Sequence, residues 1–131
     1  MKNLQITAYM QHFIRQQVML GDICIDATMG NGNDTALLSQ LAGKRGRVLA
    51  FDIQKQALEH TKERLKRDNC PENYQLLLES HENMDVYAEE ETVSCITFNL
   101  GYLPGGDHSV ATRADSSISA VESGLKLLKK G

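Results

Sequence analysis

The stretch DATMGNGNDT, residues 26–35, decides the fold of this 131-residue chain. It follows an apolar run at residues 23–25, which predicts the end of a buried strand, and it leads into residues 35–41, whose pattern predicts a helix. Gly30 and Gly32 allow positive φ and close approach of a ligand to the backbone. The first N–H groups of a helix lack partners and attract negative charge. The stretch therefore predicts a ligand-binding turn between a strand and a helix.

Strand and helix patterns alternate along the rest of the chain. Strand patterns cover residues 22–28, 47–53, 74–78 and 92–98, and helical patterns cover residues 8–20, 34–42, 54–69 and 116–130. This alternation predicts right-handed βαβ units, and hence an α/β fold with a mainly parallel sheet and flanking helices. In such sheets ligands bind outside the carboxyl ends of the strands, near the switch point beside the first strand. The polar motifs of this chain follow the predicted strand ends, so they predict one shared site.

Composition indicates one domain, residues 1–131, with 41% hydrophobic residues. The net charge of -3 gives no global signal for nucleic-acid binding. Basic residues concentrate between residues 44 and 67, and we interpret them as a solvated helix face in preference to an RNA-facing patch. Cys24, Cys70 and Cys95 are too few and too scattered for a disulfide framework or a zinc site, so we expect small buried side chains and no metal.

The two ends of the chain lead to further expectations. Residues 1–7 lack the apolar core of a signal peptide, and no run of about 18 apolar residues occurs, so we expect a soluble cytoplasmic protein without a membrane partner. Residues 127–131 follow a predicted helix at a point where another buried strand is the natural continuation. A fourth strand left at the edge would be long and hydrophobic. We therefore expect that C-terminal strands are lacking, or that a partner such as the second copy in a homodimer completes the edge.

Charge around the glycine turn discriminates between ligands. A dinucleotide fingerprint reads G-x-G-x-x-G, and Thr35 stands where its third glycine belongs. Asp26 and Asp34 would flank a doubly anionic pyrophosphate, which is costly. S-adenosylmethionine has no phosphate and carries a sulfonium and an ammonium group, so acidic side chains and Asn amides favour it. Asp52, at the end of the second strand, is predicted to accept hydrogen bonds from ribose hydroxyls, a geometry that nicotinamide cofactors share. An NAD-dependent oxidoreductase is therefore the alternative.

Side chains after the second and third strands extend this site. Gln54 is interpreted equally well as a ribose contact or as a cap of the next helix. His81, with Ser80 and Asn83, lies in the loop after the third strand, where it is predicted to meet an adenine; a surface position is the alternative.

The segment after the fourth strand carries the candidate reaction chemistry. Asn99-Leu100-Gly101-Tyr102 resembles the Asn-Pro-Pro-Tyr element of amino-group methyltransferases, with both prolines replaced. In that element the Asn accepts a hydrogen bond from the target nitrogen and the aromatic ring stacks on the base. Asp107 and His108 are candidates to take a proton from an aliphatic ammonium. An Asx turn and a surface His are the alternative.

Three segments together, residues 26–35, 51–54 and 99–108, resemble a family of class I S-adenosylmethionine-dependent methyltransferases. The family was once catalogued as rRNA methylases and is now associated with N-methylation of 5-aminomethyl-2-thiouridine at the tRNA wobble position. The resemblance implies a Rossmann-like fold, S-adenosyl-L-methionine as cofactor and an RNA substrate, with tRNA the RNA that the family association favours. A methyltransferase of rRNA or of a small molecule, and a truncated cofactor-binding module without catalysis, remain alternatives.

The candidate residues follow from these arguments taken together. Those for cofactor contact are Asp26, Gly30, Asn31, Gly32, Asn33, Asp34, Thr35, Asp52, Gln54, Ser80, His81 and Asn83. Those for catalysis are Asn99, Tyr102, Asp107 and His108.

Overall fold

The computed structural model of the chain describes residue 12 and residues 14–97 and 124–129. Within these residues, four strands form one sheet: β1 (Ile23–Asp26), β2 (Arg47–Asp52), β3 (Tyr74–Leu78) and β4 (Cys95–Thr97). All neighbouring strands are parallel, and their order is β3-β2-β1-β4. The predicted parallel α/β architecture is confirmed. Because β1 lies between β2 and β4, the chain reverses its direction of winding beside β1, and this is the switch point at which ligands bind in such sheets.

Between residues 23 and 97, two α-helices and one 3-10 helix connect these strands. α1 (Asn33–Ala42) joins β1 to β2, α2 (Lys55–Arg67) joins β2 to β3, and a 3-10 helix (His81–Val86) follows β3. Neighbouring residues of β1 point to opposite faces of the sheet. Cys24 packs in a core with Leu38 of α1, whereas Ile25 packs in a second core with Met84 of the 3-10 helix. The sheet is therefore covered on both faces, which explains why its strands read as continuous apolar runs.

The three cysteines are buried and free, as the composition predicts. No helix within residues 14–97 and 124–129 has the length and apolar character that crossing a membrane requires.

Several predicted boundaries are wrong. The first helix was expected to reach Leu20, but helical structure ends at residue 17 and Leu20 is 82% exposed in a turn. The last helix was expected to reach Lys130, but Leu128 already forms a parallel bridge with Val93. The Val93 N–H donates to the Leu127 carbonyl at 2.8 Å and the Lys129 N–H donates to the Val93 carbonyl at 2.9 Å, so the chain pairs with Val93 from this point and does not continue as a helix. Residues 80–84 were expected to form a loop and instead cap and begin the 3-10 helix.

Candidate functional site

The loop between β1 and α1 turns through two left-handed glycines, as its sequence predicts. Gly30 has φ 52° and Gly32 has φ 83°. A Cβ at Gly32 would lie 2.9 Å from the Thr61 Cα of α2, whereas a Cβ at Gly30 would meet nothing within 4 Å. Gly32 is therefore required for close packing of α1 against α2, and the side of the loop at Gly30 is open.

Asp26 lies beneath this loop and not on its surface. Its side chain is 0% exposed and accepts hydrogen bonds from Thr35 Oγ1 at 2.6 Å and from the Thr28 N–H at 3.2 Å. Burial raises the pKa of the Asp26 carboxyl to about 7, against the opposing effect of the Thr35 hydrogen bond. Thr35 is also 0% exposed and its hydroxyl donates to Asp26, so both side chains are engaged within the protein, and contact of either with the ligand stays a prediction. The pair ties α1 to the end of β1 and thereby fixes the loop.

Asp52 joins the two loops of the site. One carboxylate oxygen accepts a hydrogen bond from the Gly30 N–H at 3.2 Å, and the other accepts one from the Gln54 N–H at 2.9 Å. The side chain is half-buried at the end of β2. Since a carboxylate offers about four lone-pair positions, two N–H donors leave room for hydroxyl donors from a ligand.

Gln54 occupies the residue before α2 but does not cap the helix with its side chain. It has extended backbone angles and makes no side-chain capping bond, and the Ala57 N–H donates to its backbone carbonyl at 3.1 Å. Capping by the Gln54 side chain, one of the two interpretations, is thus not found. Contact with a ribose stays a prediction.

The 3-10 helix brings His81 to the end of β1. His81 Nδ1 lies 3.1 Å from the carbonyl oxygen of Ala27. Because a carbonyl can only accept, Nδ1 carries the hydrogen, and in the neutral ring Nε2 is then the acceptor. Met84, at 0% exposure, anchors the same segment in the core. His81 is therefore held at the switch point, and its contact with an adenine stays a prediction.

The two polar neighbours of His81 are engaged in shaping this segment. Ser80 accepts a hydrogen bond from the Glu82 N–H at 3.4 Å and caps the 3-10 helix. Asn83 Nδ2 donates to Glu79 at 3.2 Å, and the Tyr87 hydroxyl donates to the other oxygen of Glu79. Contact of Ser80 and Asn83 with the adenine stays a prediction.

The start of α1 gathers three of the predicted contacts. Asn31 and Asn33 are exposed, and Asp34 is half-buried, with its pKa raised by burial. α1 begins after Gly32, which offers no side-chain cap, so the N–H groups of its first turn have no capping side chain. This end of α1 can donate hydrogen bonds to a carboxylate.

Two residues of α2 form hydrogen bonds to the loop between β1 and α1, and neither was predicted from the sequence. Thr61 Oγ1 donates to the Gly30 carbonyl at 3.3 Å, and Arg64 donates through Nη1 to Asn33 Oδ1. They are three positions apart on one helix face, so the helical pattern of residues 54–69 contained the signal that they face the same neighbour. The sequence contains no comparable signal for Glu79, which accepts hydrogen bonds from Asn83 and Tyr87 beside the site.

Asn99, Tyr102, Asp107 and His108 lie outside the described residues. The strand that precedes them is described: β4 pairs with β1, so that Thr97 is the register partner of Asp26, and the Ala27 N–H donates to the Thr97 carbonyl at 2.8 Å. Asn99 is two residues beyond Thr97 in sequence.

The residues present fit an adenosine-type ligand that carries an amino-acid end. Asp52 can accept from a diol, the start of α1 can donate to a carboxylate, and the loop is open at Gly30. In addition, Thr28 Oγ1 is buried without a hydrogen-bond partner among the described residues. A buried hydroxyl without a partner is costly, and a ligand can supply the missing one.

Two solved structures with a similar fold are described as methyltransferases. The chain is 42% identical to a "putative rRNA-methylase" from Clostridium thermocellum, with a TM-score of 0.86 over 95% of this chain and 67% of that chain. It is 40% identical to a "putative methyltransferase" from Streptococcus mutans that was solved in complex with SAH, with a TM-score of 0.81 and the same shares of the two chains. The fold is that of the Rossmann-like class I methyltransferases.

Comparison with a family model assigns the chain to one family within this class. The family described as "Putative rRNA methylase" matches residues 48–131, and the chain belongs to it. A curated relative is the chloroplastic tRNA (mnm(5)s(2)U34)-methyltransferase of Arabidopsis thaliana, which is 38% identical over 92% of this chain and 47% of its own length. The chain thus spans about half the length of this relative.

Proposed function

We propose that this chain binds S-adenosyl-L-methionine and takes part in transfer of its methyl group to an amine nitrogen on RNA. The target that we favour is the aminomethyl group of a modified wobble uridine in tRNA. One observation carries the cofactor half of the proposal: Asp52 holds the Gly30 loop by one oxygen and the start of α2 by the other, and keeps acceptor capacity beside the open side of that loop.

The position of Asp26 changes the electrostatic argument for this cofactor. With its pKa raised to about 7 by burial, Asp26 contributes less negative charge to the loop than an exposed carboxylate. The carboxylate that opposes a pyrophosphate is then Asp34, since Asp52 can accept hydrogen bonds from the ribose of either cofactor. Asp34 is half-buried at the site, where repulsion of an anion is screened less than on an open surface. A cationic cofactor without phosphate remains the better match.

The proposal that the substrate is RNA rests on similarity to known proteins. The family description names rRNA and the Arabidopsis relative is a tRNA methyltransferase. When bound, the cofactor supplies a methyl group on a sulfonium, which an unprotonated amine can attack directly. In this proposal Asn99 accepts a hydrogen bond from the amine and thereby aims its lone pair, and Tyr102 stacks on the base. Asp107 or His108 receives the proton that the ammonium must lose.

Cofactor binding is tested by calorimetry with S-adenosylhomocysteine and with NAD. We expect binding of the former, and we expect Asp52→Asn to weaken it about 10- to 100-fold, because a hydrogen bond to a charged acceptor contributes on the order of 1.5–3 kcal/mol. An analogue of S-adenosylhomocysteine with 2′-deoxyribose tests whether Asp52 contacts the ribose directly or affects binding only by holding the loop. The wild type should discriminate against this analogue, and Asp52→Asn should not.

The matched control is Glu63→Gln, which removes an exposed carboxylate of α2. It should leave affinity unchanged. Binding of NAD in preference to S-adenosylhomocysteine would overturn the proposal in favour of an oxidoreductase.

The transfer step is tested with Asn99→Ala in an assay on bulk tRNA that lacks its wobble methyl group. We expect methyl transfer to fall by at least about 100-fold while affinity for S-adenosylhomocysteine changes less than about threefold, because the Asn acts on the amine and not on the cofactor. A comparable loss of cofactor affinity would assign Asn99 to the cofactor pocket instead. Cofactor binding by the wild type without any transfer would favour a non-catalytic module.

A further inference from the structure

A groove lies at the opposite edge of the sheet from the cofactor loop. Its volume is about 540 Å³, and it is lined by the first residues of three strands, including Ile23, Arg47 and Tyr74. The turn between α1 and β2 adds Lys44 and Arg45. Because β2 has six residues and a strand rises about 3.3 Å per residue, roughly 20 Å separate this groove from the carboxyl edge of the sheet.

The groove has an excess of positive charge. Lys44, Arg45 and Arg47 are exposed, and only one carboxylate, Glu72, is among the residues that line the groove. No described carboxylate forms an ion pair with any of the three cations. This local excess stands out in a chain whose net charge is -3.

Three other described cations have a carboxylate partner. Arg64 binds Asp68 at 2.7 Å and Arg67 lies 3.6 Å from the same carboxylate. Asp22, which precedes β1, is paired with Lys129 at 3.7 Å. Within the basic region, Arg64 and Arg67 on α2 thus share a carboxylate partner, whereas the lysines of α2 and the three cations at the groove have none among the described residues.

The frame that carries the unpaired cations is fixed. Asn73 is 9% exposed, and its Nδ2 donates to the carbonyls of Gly43 at 2.7 Å and Ser39 at 2.9 Å. The Gly46 N–H donates to the Gly43 carbonyl at 3.0 Å, which closes the turn. A Cβ at Gly46 would lie 2.6 Å from the Ala42 carbonyl, so the turn is tightly packed against α1. The backbone that bears Lys44 and Arg45 therefore needs little ordering when a ligand binds.

We propose that this groove binds the phosphodiester backbone of the RNA substrate, at a distance from the methylated base. The inference rests on the proposed function, since it takes RNA as the substrate. The cations lie on an open rim and do not converge on one buried point, which suits a chain of repeated charges better than a small anion. Tyr74 is half-buried in the wall of the groove, where it also packs against the core. The groove and the cofactor loop are roughly 20 Å apart, so one RNA substrate of at least that length can contact both sites.

The test measures binding of fluorescently labelled bulk tRNA by anisotropy at salt concentrations from about 50 to 200 mM. The variant Lys44→Gln/Arg45→Gln/Arg47→Gln should bind at least about 10-fold more weakly near 100 mM salt. The slope of log K against log salt should fall in magnitude by about 2 to 3, because each lost phosphate contact removes about 0.7–0.9. Its affinity for S-adenosylhomocysteine should equal that of the wild type.

The matched control is Lys62→Gln/Lys66→Gln/Arg67→Gln, which removes three charges from the exposed face of α2. It should change the salt slope by less than 1. Equal effects of the two triple variants would mean that RNA is attracted by overall charge, and this would overturn the groove proposal alone. Failure of the wild type to bind tRNA would overturn the RNA half of the proposed function, and the groove proposal with it.

Glu72→Gln gives a test in which the expected result is stronger binding, which loss of folding could not produce. Removing the one carboxylate of the groove should raise affinity for tRNA by about twofold at 100 mM salt, since it reduces repulsion of phosphate within a Debye length of about 10 Å. Unchanged or weaker binding would contradict a phosphate path through this groove.

Discussion

The two ends of α1 are both attached to the sheet by glycine turns, but they are fixed by different side chains. At its start, the loop of residues 26–35 is held by two carboxylates, Asp26 and Asp52. At its end, the turn of residues 43–46 is held by the amide of Asn73. The first turn leaves an open side beside carboxylates, and the second presents exposed cations.

This difference indicates how one small sheet can serve two ligands of opposite charge. A carboxylate that holds a loop also accepts hydrogen bonds from hydroxyl and ammonium groups, and therefore favours a cationic cofactor. An amide fixes a turn without adding charge, so the cations beside it keep their full attraction for phosphate. The comparison predicts that damage at the start of α1 affects cofactor binding and that damage at its end affects RNA binding.

Gly32→Ala is the change that should disturb the carboxyl edge most. Its φ of 83° is unfavourable for Ala, and the new Cβ would lie 2.9 Å from a backbone atom of Thr61. We expect a loss of about 3 kcal/mol in the free energy of unfolding, the sum of backbone strain and overpacking, measured by urea denaturation.

Gly30→Ala is the matched control, because Gly30 also has positive φ but no atom near its Cβ. It should cost about 1–2 kcal/mol from backbone strain alone. Equal costs for the two variants would show that contact with Thr61 does not determine the geometry of the loop.

Much of the fold is predictable from sequence because β1 and β2 are buried apolar runs. β3, an edge strand without a fully buried residue, was also predicted with its observed bounds, and the order of the motifs along the chain correctly indicated a parallel sheet. The 3-10 helix was not predicted, since a six-residue polar stretch with one deeply buried anchor, Met84, has no periodicity to detect. β4 is shorter than predicted because Val93, within the same apolar run, pairs with Leu128 outside the strand.

The site was predictable only where backbone conformation determines the residue type. The positive φ values of Gly30 and Gly32, and the position of Asp52 at a strand end, follow from the motif itself. The burial of Asp26 and the bond between Arg64 and Asn33 depend on contacts between elements, which local pattern does not encode. The roles of Asn99 and the residues after it stay predictions.

The smaller expected effect concerns pH and the buried carboxyl of Asp26. Its folded-state pKa of about 7 lies above the ordinary value of 3.8, so the folded state binds the proton more tightly than the unfolded state. The corresponding stability is fully present below about pH 4 and is lost as the pH rises through 7. Relative to Asp26→Asn, which is neutral throughout, the wild type should lose on the order of 2 kcal/mol between pH 5 and pH 8.

Urea denaturation of both proteins across this range measures the difference directly. Asp68→Asn is the control. The hydrogen bond from Arg64 lowers the pKa of the Asp68 carboxyl. Its contribution to the free energy of unfolding therefore changes only at pH values below the ordinary carboxyl pKa, and it should be constant from pH 5 to pH 8. A difference between wild type and Asp26→Asn that does not vary with pH would mean that Asp26 is ionised throughout. The loop would then carry a full negative charge, and the case for a cationic cofactor over a pyrophosphate would become stronger.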